Sequence, residues 1–246
     1  MSRFCRSIGP HRLLMIAIAI STSLFLAATA ADAKTVYWGR TKKTVVLDPG
    51  HGGTDSGARS PDGTLEKQVA LDLARLIADE LADPSRTHLT RTDDYRLDTE
   101  RRTDMANNLK ADAFVSLHAG GSFSPTPGGI HIYCYKGTTT ERPSSANRAP
   151  APFDTWDRIQ LKHARSSRLL ARHLKERLDP LLDVEISDAP VLVLQGADMP
   201  AVLIEVGYLS NPEEAKALRS ATHREALARA VAAAIKAFFE ELRQAK

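Results

Sequence analysis

The stretch "VVLDPGHGGTDSGA", Val45 to Ala58, decides how the chain is read. Thr44 to Asp48 form a short, β-branched, apolar run that Pro49 and Gly50 end, which is the pattern of a buried strand. His51 follows at once, set among Gly50, Gly52 and Gly53. In open α/β sheets, sites form beyond the carboxyl ends of strands. His51 is therefore either a turn residue that happens to carry an imidazole or a metal ligand held at the end of a strand.

Outward from this segment the chain alternates strands and helices. "TLEKQVALDLARLIADELADP" carries apolar residues at 65, 69, 73, 76 and 77 and stops at Pro84, so it reads as a helix. "THLTR" near Thr87 is a short strand, "LDTERRTDMANNLK" a polar helix, and "DAFVSLHAG" (Asp112 to Gly120) a buried strand. "GGIHIYCY" alternates and reads as a strand nearer an edge. Gly137 to Asp154 is rich in Thr, Ser, Pro and Ala without a period, which is a surface loop. A helix from about Ile159 to Leu178 follows, then two apolar strands, "PVLVLQ" and "PAVLIEVGY". "SNPEEAKAL" opens a helix with Ser210 or Asn211 as N-cap, and an amphipathic helix from about Thr222 to Arg243 closes the chain. The expected fold is α/β: a single layered domain over residues 44–246, with a mostly parallel or mixed sheet of about six strands and helices on both faces.

The first 33 residues read differently. Arg3, Arg6 and Arg12 precede the apolar run Leu13 to Ala30, and "ADA" (Ala31 to Ala33) fits a secretory cleavage site. An uncleaved membrane anchor is the other reading of such a run. Cleavage is the one expected, giving an exported protein, periplasmic or extracellular, whose short segment 34–43 leads into the domain. The whole chain carries +3, and its basic residues are spread along helices without a block of like charge, so nucleic acid is not an expected partner. Cys5 lies in the leader, which leaves Cys134 alone and excludes an intramolecular disulfide. Cys134 reads as a small buried apolar residue.

Three strands deliver a ligand-capable side chain to the same end: His51 after "VVLD", His118 after "FVSL" and Glu205 after "AVLI". Glu66 is the fourth. It fits a helix N-terminal acid behind a Thr64 cap, complementing the dipole. Yet residues 66, 70, 73 and 77 share one face, and the other three are Ala, Leu and Ile. Glu66 thus heads the core-facing stripe, where an unpaired carboxylate is costly and a divalent cation would serve it. Two histidines and a glutamate with an open position form a recurring catalytic zinc sphere. A further carboxylate is then needed to move the water's proton, and Glu205 on its apolar strand is the candidate, set against a buried ion pair with Arg91 or Arg101.

"LDPGHGGTDSGA", "EKQVALDLA", "SLHAG" and "PAVLIEVGYLSNPEEAKAL", with "LTRTDDYRLDTERRTDMAN" between them, resemble the zinc-dependent N-acetylmuramoyl-L-alanine amidases of bacterial cell walls over about residues 44 to 240. The resemblance implies a Zn2+ cofactor held by His51, Glu66 and His118, with Glu205 as catalytic glutamate. It implies peptidoglycan as partner and cleavage of the amide between N-acetylmuramic acid and L-alanine. The family usually has Asn two residues after the second ligand histidine; here it is Gly120. Asp55 is expected to fix its loop through backbone hydrogen bonds. His131 and Tyr133 share one strand face and either line a substrate groove or hold a structural place. His88, His163, His173 and His223 read as surface residues.

Two other functions fit the same residues: a zinc carboxypeptidase on wall peptides and a wall-binding module without chemistry. The reading preferred is a monomeric secreted amidase without a stable membrane anchor after cleavage. The prolines at 143, 150 and 152 oppose a helix in the 137–154 loop, so self-blocking of the site is not expected. An activator protein is left open.

Overall fold

The computed structural model describes residues 42–81, 86–137 and 159–245. Residues 1–33, read as a leader, and all but Gly137 of residues 137–154, read as a loop, lie outside them. Six strands form one sheet: β1 (Val45–Pro49), β2 (Thr87–Leu89), β3 (Ala113–Gly120), β4 (Ile130–Tyr135), β5 (Val184–Ala189) and β6 (Ala201–Tyr208). Their spatial order is β2-β1-β3-β6-β4-β5. β1 runs parallel to β2 and β3, and β3 parallel to β6, while β4 is antiparallel to β6 and parallel to β5. The sheet is therefore mixed, with β4 one place in from an edge strand.

One strand of the sequence reading is corrected. "PVLVLQ" (190–195) is not a strand: Leu192–Gln195 form a single helical turn, α4. The strand is the preceding segment, β5, whose "VEISDA" shows little apolar alternation. An edge strand buries little side chain, so its pattern is weak. The apolar run of α4 is explained by burial instead, since Val193 and Leu194 plug the core.

Besides α4, the helices are α1 (Glu66–Leu81), α2 (Thr99–Asn108), α3 (Ala164–Leu178), α5 (Pro212–Arg219) and α6 (Ala221–Gln244), with a 3-10 turn (Gln160–His163) before α3. α1 and α3 pack on one face of the sheet, and α6 packs across both of them. α2 and α4 cover the other face, over a cluster that holds Val46, Ala106, Phe114, Val193, Leu194 and Leu203. Asn211 is the N-cap of α5, its side chain accepting from the backbone N–H of Glu213 and Glu214. Thr64 does not cap α1. Its hydroxyl donates to Asp62, and the first N–H groups of the helix go to loop carbonyls, Glu66 N to Ala58 O and Lys67 N to Ser56 O. The loop that carries His51 is thereby fastened to the helix that carries Glu66. No described helix is long and apolar enough to cross a membrane.

Candidate active site

β1 and β3 are adjacent and parallel, so their carboxyl ends release His51 and present His118 side by side. His51 sits at φ 58, in the left-handed region, which is uncommon for a residue with a side chain and carries strain. Two buried arginines hold it there. Arg102 donates to the carbonyls of Pro49 at 2.8 Å and His51 at 2.9 Å, and Arg91 to those of Pro49 at 3.0 Å and Gly50 at 2.7 Å. Three consecutive carbonyls are thus taken up by guanidinium groups. The counter-charge is Asp48, fully buried on β1, which accepts from Arg102 at 2.8 Å, Thr90 at 2.6 Å and Ser116 at 2.7 Å. A buried carboxylate so satisfied locks the strand end and the turn into one geometry.

The side chains converge on Glu66. Its Oε1 lies 3.0 Å from His51 Nε2 and 2.8 Å from His118 Nδ1, and also accepts from Ala119 N. Its Oε2 accepts from Ala58 N at 2.7 Å. The two imidazoles stand edge to face, 5.0 Å between centroids. One ligand atom from each of His51, Glu66 and His118 lies within 4.8 Å of the others. Two glycines make the room. A side chain at Gly50 would run into the ring of His118, and one at Gly57 into Glu66 and His51.

Burial alone would raise the Glu66 carboxyl, but the hydrogen bonds and charges of His118 and His51 outweigh it and hold it far below the ordinary range. Burial works to lower His51, yet Glu66 and Asp55 reverse the balance and raise it. Asp55 does more than hold its loop. Its backbone pairs with Gly52 and its Oδ1 accepts from Gly57 N, as read from the sequence, while its Oδ2 lies 2.9 Å from His51 Nδ1. That contact sets the tautomer that leaves Nε2 free for a ligand. The four-residue spacing of His51 and Asp55 was the only signal for it in the sequence.

Glu205 lies opposite His118 on β3 and opposite His131 on β4, so three side chains form one row across three strands. Burial pushes the Glu205 carboxyl up to about 7, with Glu66 adding to the rise and the two histidines opposing it. Its Oε2 is a buried oxygen without a hydrogen-bond partner. The expected alternative, an ion pair with Arg91 or Arg101, is not what the two residues form. Arg91 spends its donors on backbone carbonyls and Arg101 is exposed.

The donor set fits a divalent zinc ion. Two imidazoles and one carboxylate are the right chemistry, their ligand atoms are gathered, and an orphaned carboxylate oxygen sits in the same row. His131 and Tyr133 are on the same strand face, their rings 6.3 Å apart and nearly parallel. Cys134 is buried, its thiol pushed up to about 11 by burial, so it is inert. His173 is a correction to the surface reading: only 12% of its side chain is exposed, and it bonds Glu241 at 2.8 Å.

Residues 45–237 match a family model described as N-acetylmuramoyl-L-alanine amidase. Among curated proteins, the chain is 33% identical to N-acetylmuramoyl-L-alanine amidase AmiC of Neisseria meningitidis, over 80% of this chain and 53% of the relative. The chain thus spans about half the length of that relative. Among solved structures, the catalytic domain of CwlV, an N-acetylmuramoyl-L-alanine amidase from Bacillus (Paenibacillus) polymyxa var. colistinus, is 30% identical. It aligns with TM-score 0.66 over 80% of this chain and 98% of that one. The CwlD amidase of Clostridioides difficile, solved in complex with the GerS lipoprotein, is 25% identical with TM-score 0.64 over 81% and 99%.

Proposed function

The chain belongs to the N-acetylmuramoyl-L-alanine amidase family, and from that premise we propose that it is a zinc-dependent hydrolase of peptidoglycan. It cuts the amide between the lactyl group of N-acetylmuramic acid and the L-alanine of the stem peptide. The observation that carries the chemistry is the single row His118–Glu205 beside the His51–Glu66–His118 cluster.

His51, Glu66 and His118 hold the ion. When bound, zinc supplies a water of lowered pKa and a Lewis acid for the amide carbonyl. The rest falls to this chain's residues. Asp55 keeps the His51 proton on Nδ1. Arg91 and Arg102 hold the turn that presents it. Glu205 accepts the proton of the attacking water and returns it to the alanine nitrogen as the C–N bond breaks. Burial raises the Glu205 carboxyl above the ordinary range in the metal-free protein, which is the direction that a group both taking and returning a proton near neutral pH requires.

The leader reading makes the protein exported, periplasmic or extracellular, with residues 1–33 removed and 34–43 joining the leader site to the domain. A monomer suffices, because every residue assigned here comes from one chain. The relative that is bound to a lipoprotein supports keeping an activator partner in view.

The test is digestion of purified sacculi with and without a chelator, followed by product identification. An amidase frees intact stem peptides from glycan strands; release of single amino acids would instead mean a carboxypeptidase. Glu205→Gln is expected to retain zinc and lose at least a hundredfold in turnover. Substantial residual hydrolysis by that variant would remove Glu205 from the proton transfer.

A further inference from the structure

Beyond Glu205 the sheet carries an aromatic wall. The pairing of β3 with β6 slips between His118 and Gly120, so that Gly120 faces Tyr208 and β6 has absorbed one extra residue. Gly207 takes φ 132 at this bulge. An extra residue moves the following side chain to the other face of a strand. Tyr208 thereby comes to the face of Glu205 and His131, and its ring stands edge-on to His131 at 5.6 Å between centroids.

Gly120 is what lets it lie there. A Cβ at 120 would meet three atoms of the Tyr208 ring at 2.8 to 3.1 Å, so the ring occupies the place of a side chain on β3. Glu214 fixes the backbone of this corner, accepting from Tyr208 N at 2.7 Å and from Gly129 N at 2.8 Å just before β4. The Gly120 departure is thus linked to a definite occupant. Tyr208, His131 and Tyr133 form a half-buried aromatic surface that adjoins Glu205.

We propose that this surface is the subsite for the N-acetylmuramoyl ring, with Tyr208, seated on Gly120, as its specificity-determining residue. The proposal rests on the amidase reading of the same site. Charge decides which half of the substrate lies here. His131 is flanked in its row by two carboxylates, Glu205 on β6 and Glu185 on β5. The peptide half of the substrate bears free carboxylates and is repelled by them; the sugar half, its lactyl carboxyl tied up as the amide, is uncharged. The apolar C–H face of a pyranose also matches the faces of tyrosine and histidine rings.

The experiment compares the zinc-loaded enzyme with Tyr208→Ala and Tyr208→Phe on two substrates, an N-acetylmuramoyl-tripeptide and the same tripeptide acylated with lactate alone. Tyr208→Ala is expected to raise KM for the sugar-bearing substrate about tenfold with kcat changed less than about threefold. Tyr208→Phe keeps the ring and is expected to stay within about threefold of wild type. The lactyl-tripeptide should be cut equally by all three. Equal losses on both substrates would mean a merely structural role and would overturn the proposal, as would an unchanged KM.

Titration of the methyl glycoside of N-acetylmuramic acid with its lactyl carboxyl capped as the N-methylamide, followed by NMR, separates this idea from the amidase reading. Binding by wild type and about tenfold weaker binding by Tyr208→Ala support the subsite even if neither amide is cut. No binding by wild type, or equal binding by both proteins, overturns the subsite even if the amide is cut.

Discussion

Replacing Asp55 by asparagine is nearly isosteric, yet it should weaken zinc binding. Asp55 uses its two oxygens as two acceptors: Oδ2 for His51 Nδ1 at 2.9 Å and Oδ1 for Gly57 N at 3.1 Å. Asparagine offers one acceptor and one donor. If its oxygen faces His51, its NH2 opposes the N–H of Gly57. If its oxygen faces Gly57, its NH2 donates to His51 Nδ1 and forces the imidazole proton onto Nε2, the atom that points at Glu66. A protonated Nε2 cannot hold a cation. Loss of such an orienting partner costs between about tenfold and a hundredfold in metal affinity. The Asp55 side chain is 49% exposed, so water can repair part of the damage, and the low end applies: about tenfold, or ~1.4 kcal/mol. Asp55→Ala, which admits water in either orientation, should lose no more than Asp55→Asn. The assay is zinc competition against a fluorescent chelator near neutral pH. A dissociation constant within about twofold of wild type for Asp55→Asn, or alanine clearly worse than asparagine, would refute the two-acceptor argument.

Two further expectations concern stability. Glu205 has a carboxyl raised from 4.5 to about 7, so folding favours its protonated form. The charged form costs stability, a penalty absent below pH 4.5, growing as pH rises through the window to about 7, and complete above it. In chelator-treated protein, Glu205→Gln should be more stable than wild type at alkaline pH by up to about 3 kcal/mol, with the gain vanishing near pH 4. Equal urea midpoints at alkaline pH would contradict this. Arg102→Leu removes the guanidinium from Asp48, frees the His51 carbonyl and leaves the Pro49 carbonyl to Arg91 alone, and should cost about 3 to 5 kcal/mol in urea unfolding. Adding Asp48→Asn should recover part of it, and a single-variant loss under about 1 kcal/mol would show that the pair does not hold the turn.

Most of the candidate site was legible because its carriers are buried strands and an amphipathic helix with strong patterns. The apolar runs before His51, His118 and Glu205 announced strand ends, and the Ala70–Leu73–Ile77 stripe placed Glu66 inward; both readings agree with the burial seen. β5 was missed because an edge strand buries too little to leave a pattern, and α4 was misread because one buried helical turn and a buried strand look alike over six residues.

By itself, then, the sequence determined which residue types end which elements, and so the fold class and the family, and it singled out the four residues proposed to carry the chemistry. Strand order was decided only in three dimensions. Inserting β6 between β3 and β4 sets Glu205 between His118 and His131, residues far apart along the chain. The slip beside Gly120 was likewise invisible, because a one-residue bulge changes no composition or period. It does change which face Tyr208 occupies, and a side chain's face in a sheet is a property of its pairing, not of its neighbours in sequence.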